Sequence, residues 1–333
     1  MTQTVIALDV GGTGIKCALV GADGDALHTV QHAERHRTGA ERGGEAVVET
    51  ILSIAEGLAA TARDKGLEPV GAGLAVPGVI DEANGVAVWA ANVGFRDVPL
   101  KSLLEARLGL PAALGHDVRA GGLAEARLGA GRGHDYVLVI PIGTGIAAAN
   151  VVHGQVYTGA HGAGGEIGHI VVRPGGPKCG CGQHGCLEAI ASASAVGRRY
   201  SELAGRAATA EEVARLAAEG EATAVAVWRE TIDALADGLM TGIALFDPAV
   251  IVLGGGLAEA GEALLAPLRE AVHERVTFHR EPVITRAALG DEAGCLGAAL
   301  LALDNLQSQG RQSQGKQSQG RQSQDKQSKG TAQ

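Results

Sequence analysis

The stretch GAHGAGGEIGHIVVRPGGPKCGCGQHGCLE, residues 159–188, decides how this sequence is interpreted. Cys179, Cys181 and Cys186 follow the spacing C-x-C-x4-C, and His169 lies ten residues before the first of them. Three thiolates and one imidazole are the donors that a closed tetrahedral zinc site requires. The sequence therefore predicts a structural Zn2+ bound by these four residues.

Two alternatives compete with this metal site. Cysteines are often buried as small apolar side chains, but three within eight residues, separated by glycines, do not build a core. A disulfide is the second alternative, yet an adjacent C-x-C pair closes a strained ring, and cytosolic thiols stay reduced. The metal site is therefore the better interpretation.

Two carboxylates flank the metal ligands. Glu166 precedes His169 by three residues and Glu188 follows Cys186 by two, so closing the metal site brings both acids near the imidazole. Metal coordination fixes the ring plane and leaves the second ring nitrogen for a hydrogen bond. That nitrogen could face a substrate.

Length and composition indicate a two-domain α/β enzyme. The chain has 333 residues, of which 46% are hydrophobic, 2% are aromatic and 51 are glycine, so Ala, Val, Leu and Ile must build the core. The net charge of −9 argues against a nucleic-acid surface. Without a long apolar run or a charged leader before the first strand, we expect no membrane span and a cytoplasmic location.

A strand followed by a glycine and threonine turn and a hairpin occurs twice. The first copy has a strand at residues 4–10 with Asp9 near its end, and the second has Tyr136–Pro141. Such a turn can bind phosphate through main-chain NH groups and a threonine hydroxyl, and Asp9 can hold Mg2+ through water, although a single turn would usually be an ordinary hairpin. The repetition suggests duplicated domains facing each other across a nucleotide.

The remaining pattern alternates helices and strands. We predict helices at residues 43–65, 118–128, 187–200, 209–218, 222–244, 261–275 and 292–303, and further strands at 70–81, 110–114, 249–257 and 282–289. Residues 91–100 are predicted to form a loop in which Asp97 either caps a helix or binds a ligand. The triplet Gly254, Gly255 and Gly256, at a strand-to-helix junction, permits close backbone approach to an adenine or ribose.

Asp117 follows a predicted strand and precedes a helix. Catalytic groups tend to lie at the carboxyl ends of strands in α/β sheets, and Asp is equally favoured as a helix N-cap, so position alone leaves both roles open. From residue 307 the chain repeats QSQGR-like pentapeptides without apolar residues. We expect residues 307–333 to be a disordered, inert tail, although its positive charge could recruit an acidic partner.

Taken together, these motifs resemble the ROK family of sugar kinases and sugar-responsive repressors over roughly residues 5–303. The most specific pair is G-E-x-G-H at 165–169 and C-x-C-G-x-x-G-C-x-E at 179–188. The motifs at 9–16, 75–78, 142–146, 251–256 and 289–299 agree in order. The resemblance implies an α/β, actin-like ATPase (ribonuclease H-like) fold with a cleft between two domains. It places residues 1–117 and a returning helix at about 293–306 in the smaller domain, and residues 118–292 in the larger one.

The resemblance also implies an ATP-dependent sugar kinase that phosphorylates a hexose at the 6-hydroxyl, with glucose favoured over N-acetylmannosamine, N-acetylglucosamine or fructose. Asp117 is then the general base. The sugar-binding residues would be Asn92, His116, Glu166, His169, Glu188 and Gly78. ATP with Mg2+ would contact Asp9, Gly11, Gly12, Thr13, Lys16, Gly143, Thr144, Gly145, Gly254, Gly255 and Gly256. Dimers or tetramers of the same chain are common in such proteins.

One departure from the family pattern concerns the substrate. The family commonly has Asn before the catalytic Asp, where this chain has His116, so the identity of the sugar is in doubt while the role of Asp117 is not. A sugar-responsive repressor is the alternative of a different class, but it needs a DNA-reading domain before the first strand, which begins here at Thr4. A catalytically inactive binding protein is disfavoured because Asp9, Asp117 and both glycine turns are intact.

Overall fold

The computed structural model describes the backbone of residues 2–23 and 26–330, and their side chains except Asp23, Ala26, His28 and those beyond Arg311. The chain divides into two compact units. Unit 1 comprises Met1–Asp117 and Cys295–Gln333, and unit 2 comprises Val118–Gly294. Among the described residues, no helix combines the length and apolar character that a membrane span needs.

Unit 1 is built on a five-stranded sheet with the order β3-β2-β1-β4-β8. The strands β1, β2 and β3 form an antiparallel meander, whereas β1, β4 and β8 run parallel. The strands of this sheet are β1 (Thr2–Val10), β2 (Gly14–Asp23), β3 (Ala26–Arg37), β4 (Leu67–Val76) and β8 (Ala112–His116). A smaller antiparallel sheet consists of β5 (Val79–Asp81), β6 (Val86–Ala90) and β7 (Phe95–Val98). The helices of unit 1 are α1 (Gly44–Asp64), α2 (Leu100–Leu108) and α9 (Ala293–Gly330).

The helix α1 covers one face of this sheet. Val47, Ile51, Ala55 and Leu58 recur at three- and four-residue spacing and are completely buried, as expected for an amphipathic helix packed on a core. Gly66, with φ of 71°, lies just beyond its end in the left-handed conformation that favours glycine. The predicted helix at residues 43–65 is thus confirmed.

The final helix, α9, returns the chain to unit 1. A Cβ atom on Gly73 of β4 would lie 1.7 Å from the carbonyl oxygen of Ala298, so helix and strand touch backbone to backbone. The side-chain amide of Asn305 donates to the carbonyl oxygen of Ala112 at 3.0 Å. Instead of the disorder predicted from residue 307, the helix continues to Gly330. Gln, Lys and Arg favour helices once a buried segment has started one. Residues 331–333 lie outside the described part of the chain.

Unit 2 has a second five-stranded sheet, in the order β11-β10-β9-β12-β13. The strands β9, β10 and β11 are antiparallel, and β9, β12 and β13 are parallel, which repeats the arrangement of unit 1. The strands are β9 (Tyr136–Pro141), β10 (Ala149–Val152), β11 (Gln155–Val156), β12 (Val250–Gly254) and β13 (Val283–Arg286). The helices are α3 (Asp117–Arg127), α4 (Leu187–Ala191), α5 (Ala193–Ala204), α6 (Ala210–Ala218), α7 (Ala222–Phe246) and α8 (Glu262–Arg275). The predicted repetition of strand, glycine turn and hairpin is therefore a repetition of sheet topology.

Three local predictions differ from the structure. Residues 95–98, expected to be a loop, form β7 and pair with the unpredicted strand β6. Asp97 does not cap α2, whose N-cap is Pro99 without a side-chain hydrogen bond. The helix predicted over 187–200 is interrupted at Ser192, whose extended backbone starts α5 and whose hydroxyl accepts from the NH of Ala195 at 3.1 Å.

Candidate functional site

In unit 1, the predicted catalytic and nucleotide-binding residues meet at one edge of the sheet. Asp9 of β1 pairs with Ala75 of β4, and Val76 pairs with His116 of β8. Because these strands are parallel, their carboxyl ends lie side by side, which is where ligands bind in α/β sheets. Asp9 and Asp117 therefore occupy this edge together.

The first glycine turn connects β1 to β2 at this edge. The NH of Gly11 donates to the carbonyl oxygen of Gly14 at 2.8 Å, and the Thr38 hydroxyl donates to the carbonyl oxygen of Gly11 at 2.6 Å. A Cβ atom on Gly12 would lie 3.5 Å from Nδ2 of Asn92, so a predicted sugar ligand packs against the turn. Lys16 is the cross-strand partner of Asp9. This group of predicted residues is brought together by the structure.

Asp117 is the first residue of α3, directly after the strand β8. Its Oδ1 lies 3.2 Å from Nδ1 of His116, and the two side chains are 33% and 15% exposed, respectively. The backbone NH of His116 donates to Oε1 of Glu82 at 3.1 Å. The residue that replaces the family's usual Asn thus contacts the carboxylate of Asp117.

Gly78, a predicted sugar ligand, lies in the turn between β4 and β5. Its φ is 102°, and a Cβ atom there would lie 2.2 Å from the carbonyl oxygen of Trp89. Glycine is therefore required by the backbone at this position, independently of any ligand.

In unit 2, the second glycine turn follows β9. The NH of Gly143 donates to the carbonyl oxygen of Gly145 at 2.9 Å. Oε2 of Glu188 accepts from the NH of Ile146 at 2.9 Å, and a Cβ atom on Gly145 would lie 2.5 Å from the same oxygen. A predicted sugar-binding carboxylate is therefore hydrogen-bonded to the predicted phosphate-binding turn.

The four predicted metal ligands form one cluster in unit 2. The ligand atoms of His169, Cys179, Cys181 and Cys186 all lie within 4.8 Å of one another. Nδ1 of His169 is 3.6 Å from Sγ of Cys179, and the Sγ atoms of Cys181 and Cys186 are 3.7 Å apart. All five cysteines are free thiols, and that separation is far beyond the roughly 2.05 Å of a disulfide. The cluster could hold a metal ion.

The other ring nitrogen of His169 faces a carboxylate. Its Nε2 lies 3.8 Å from Oε2 of Glu166, and both side chains are partly exposed, at 34% and 51%. The ring therefore presents Nδ1 to Cys179 and Nε2 to Glu166.

Gly256, the last residue of the glycine triplet that begins at the end of β12, lines a cavity of about 580 Å3. Gly255 has φ of 76°, and a Cβ atom on it would lie 2.5 Å from the carbonyl oxygen of Ile142, so the segment packs closely on the end of β9. The cavity is lined by Gly256, Leu257 and side chains of α6, including Arg215. Its walls are mostly apolar, with the guanidinium of Arg215 and the carboxylates of Glu211 and Glu259 as the charged groups, and it could accommodate a flat heterocycle.

Some residues that shape these sites were not predicted. Thr38 fixes the first turn, and Glu82 holds the backbone of His116. Glu125, 2% exposed, accepts hydrogen bonds from the backbone NH groups of Ala130, Ala288 and Leu289 at 3.0, 3.1 and 2.7 Å. Since its last two partners are more than 160 residues away, no local sequence signal reveals this role.

The sequence profile of the ROK family matches residues 5–305, nearly the whole described chain. The chain belongs to the ROK family. The glucokinase of Thermotoga maritima is 35% identical over 91% of this chain and 98% of its own length. The crystal structure of the ROK hexokinase from Thermus thermophilus has a TM-score of 0.81 and 37% identity, covering 92% of this chain and 99% of that chain.

A ROK family glucokinase from Streptomyces griseus, in complex with glucose and AMPPNP, has a TM-score of 0.72 and 30% identity. The match covers 90% of this chain and 99% of the Streptomyces griseus chain. The predicted family and the predicted actin-like ATPase fold are therefore confirmed. The repeated five-stranded sheets of units 1 and 2 are the two α/β halves of that fold.

Proposed function

We propose that this ROK family member is an ATP-dependent hexokinase that phosphorylates the 6-hydroxyl of glucose. The observation that carries the proposal is the position of Asp117 at the carboxyl end of β8, on the same sheet edge as Asp9 and the Gly11–Thr13 turn. The similarity to glucokinases over about nine-tenths of the chain supports the same reaction.

Asp117 would act as the general base. Phosphoryl transfer requires a carboxylate that accepts the proton of the attacking hydroxyl, while the remaining catalysis is positioning and charge stabilisation. A one-third exposed carboxylate at the start of a helix can reach a bound substrate. The His116 ring, 3.2 Å away, would orient it.

The sugar hydroxyls would be bound by Glu166, His169 and Glu188. Carboxylates and imidazoles discriminate strongly between sugars because a missing hydroxyl leaves a buried polar group without a partner. Glu188 would link sugar and nucleotide sites, since its carboxylate also accepts from the turn at Ile146.

Each glycine turn would offer backbone NH groups to phosphate, with Thr13 and Lys16 adding donors in unit 1 and Thr144 adding one in unit 2. Mg2+ bound with the nucleotide supplies neutralisation of the phosphate charge. Asp9, at the end of β1, would hold that ion through water. The cavity beside Gly256 would take the adenine ring.

We propose that the cluster of His169 and the three cysteines holds a structural Zn2+. Zn–S bonds of about 2.3 Å in a tetrahedron imply sulfur atoms roughly 3.8 Å apart, and the observed separation for Cys181 and Cys186 is 3.7 Å. When bound, the ion fixes the imidazole plane and tautomer. The Nε2 atom of His169 then carries the proton and donates a hydrogen bond at a defined point.

His116 is the residue on which the choice of sugar depends most. It replaces the family's usual Asn and is turned toward Asp117, so a different epimer or an N-acetylhexosamine remains an alternative acceptor. A sugar-responsive regulator without kinase activity is the alternative of another class. Assembly into dimers or tetramers and a cytoplasmic location, where ATP is made available, remain predictions from the sequence.

The test is an ATP-coupled assay on the full-length protein with glucose, fructose, mannose, N-acetylmannosamine and N-acetylglucosamine. We expect turnover with glucose to be fastest, and mass spectrometry of the product to place the phosphate at the 6-position. Faster turnover with an N-acetylhexosamine would correct the substrate. Sugar binding without turnover, measured by calorimetry, would favour the regulator.

A further inference from the structure

A second cluster of metal-ligating side chains lies on the β2–β3 hairpin of unit 1. Cys17 of β2 pairs directly with Glu34 of the edge strand β3. His32 and His36 flank Glu34 at two-residue spacing. Residues two apart on a strand share a face, as do cross-strand partners. The four side chains therefore occupy one face of the hairpin.

The distances between their polar atoms suit a common ligand. The ligand atoms of Cys17, Glu34 and His36 all lie within 4.8 Å of one another. Oε1 of Glu34 is 4.0 Å from Sγ of Cys17 and 3.3 Å from Nε2 of His36. Ligands of a tetrahedral zinc ion are roughly 3.4–3.8 Å apart, so only a small contraction would complete the geometry.

Accessibility also favours an ion at this place. Cys17 is 1% exposed and closes the inner side of the cluster. The side chains of Glu34 and His36 are 37% and 39% exposed, so solvent reaches the outer side. His32, whose Nε2 lies 3.7 Å from Oε2 of Glu34, borders the same opening. An ion could enter from solvent and meet the thiol at the bottom.

We propose that Cys17, Glu34 and His36 form a second metal site, for a divalent transition-metal ion of the zinc class. A thiolate with an imidazole and a carboxylate selects Zn2+ or Co2+ over Mg2+ or Ca2+. Three protein ligands leave one coordination position, which His32 or a water molecule would fill.

Binding at this site displaces one proton. In the free protein the thiol of Cys17 donates to the carbonyl oxygen of Glu34 at 3.5 Å. The cation forms the S–metal bond as that proton leaves to solvent.

The experiment compares the zinc content of metal-stripped, reloaded full-length protein with that of variants in β3, by elemental mass spectrometry after removal of weakly bound ions. Glu34→Gln and His36→Ala are each expected to lower the content by one ion per chain, whatever occupies the His169 cluster. Arg35→Ala is the matched control, because this adjacent residue lies on the opposite face of the strand. It should keep the full content.

Cobalt titration gives a second measurement. A thiolate-to-cobalt absorption band should persist in Cys181→Ser, in which the His169 cluster is broken, and should disappear when Glu34→Gln is added. Circular dichroism and thermal melting show whether each variant is folded. Equal zinc content in wild type, Glu34→Gln and His36→Ala, with all three folded, would overturn the proposal.

Discussion

The sheets of units 1 and 2 have the same strand order but carry different chemistry at the ends of their strands. In unit 1, Asp9 lies next to the end of β1 and Asp117 follows β8. In unit 2, β9 ends at Pro141, and β13 ends at Arg286 followed by Ala287. Unit 1 thus has acids at the ends of its strands, where a carboxylate can bind a cation or accept a proton.

In unit 2 the two carboxylates flank the cysteine loop instead. Glu166 directly precedes the short helical turn Ile167–His169, and Glu188 is the second residue of α4. The comparison shows that one sheet arrangement supports two ways of placing acids: at the end of a strand, or on either side of a long loop whose cysteines gather around His169. Substitutions in the two units should therefore differ in their effects on kcat and KM.

The largest effect is expected in unit 1. Asp117→Asn should lower kcat by roughly 10²–10⁴-fold, because the hydroxyl of the sugar loses its general base. Steady-state kinetics with glucose and ATP measures the loss. Asp81→Asn, which removes an acid hydrogen-bonded to Asn84 in the same unit, is the control and should retain turnover. A near-normal kcat for Asp117→Asn would show that the acids of unit 1, like those of unit 2, serve in binding and not in proton transfer.

Breaking the metal cluster should act on affinity more than on turnover. Cys181→Ser, at the exposed member of the cluster, should lose zinc, lower the melting temperature and raise KM for glucose roughly 10- to 100-fold through the released His169 ring. Elemental analysis and kinetics on one preparation measure both. An unchanged KM in folded Cys181→Ser protein that has lost one zinc per chain would separate the His169 cluster from sugar binding.

Glu188→Gln tests whether Glu188 couples glucose binding to ATP binding in unit 2. The carboxylate that accepts from Ile146 becomes a neutral amide, and a hydrogen bond to a charged acceptor contributes about 1.5–3 kcal/mol. We expect KM for glucose to rise roughly tenfold and KM for ATP to rise with it. If only the glucose constant moves, the turn at residues 143–145 is independent of Glu188.

Removing a hydrogen bond from the first glycine turn, in unit 1, should have a smaller effect on KM. Thr38→Val removes the neutral hydrogen bond to Gly11 and keeps the shape of the side chain, so a cost of about 1 kcal/mol is expected. KM for ATP should rise several-fold while KM for glucose stays constant. If Thr38→Val raised the KM for ATP more than Glu188→Gln does, the first turn would depend more on its side-chain hydrogen bond than the second turn does.

The smallest effect should come from removing residues 307–333. Asn305 and Leu306 of α9 contact the rest of unit 1, and a side-chain atom of Leu306 lies 3.2 Å from the Cβ position of Gly71. Truncation after Leu306 keeps these contacts, so kcat, KM and melting temperature should match those of the full chain. A large loss in any of them would give the repeated segment a function.

Most of the fold and the composition of the site follow from local pattern. Apolar periodicity predicts α1, α7 and β9 closely, and the motif spacing predicts the family, which the comparisons confirm. The strand β7 was missed because Phe95 is buried between exposed polar residues, and its pairing partner is a second short strand. The contributions of Thr38 and Glu125 could not be predicted, since each depends on backbone groups that only the folded chain brings near.

The return of α9 to unit 1 has a consequence for protein synthesis. Unit 2 is continuous in sequence, so every residue it needs has left the ribosome before the chain is finished. Unit 1 must wait for Ala298 and Asn305, which cover Gly73 and the start of β8. Until then one face of the first sheet made remains open to solvent and chaperones, and a message cut short before α9 would encode a protein with that sheet permanently uncovered.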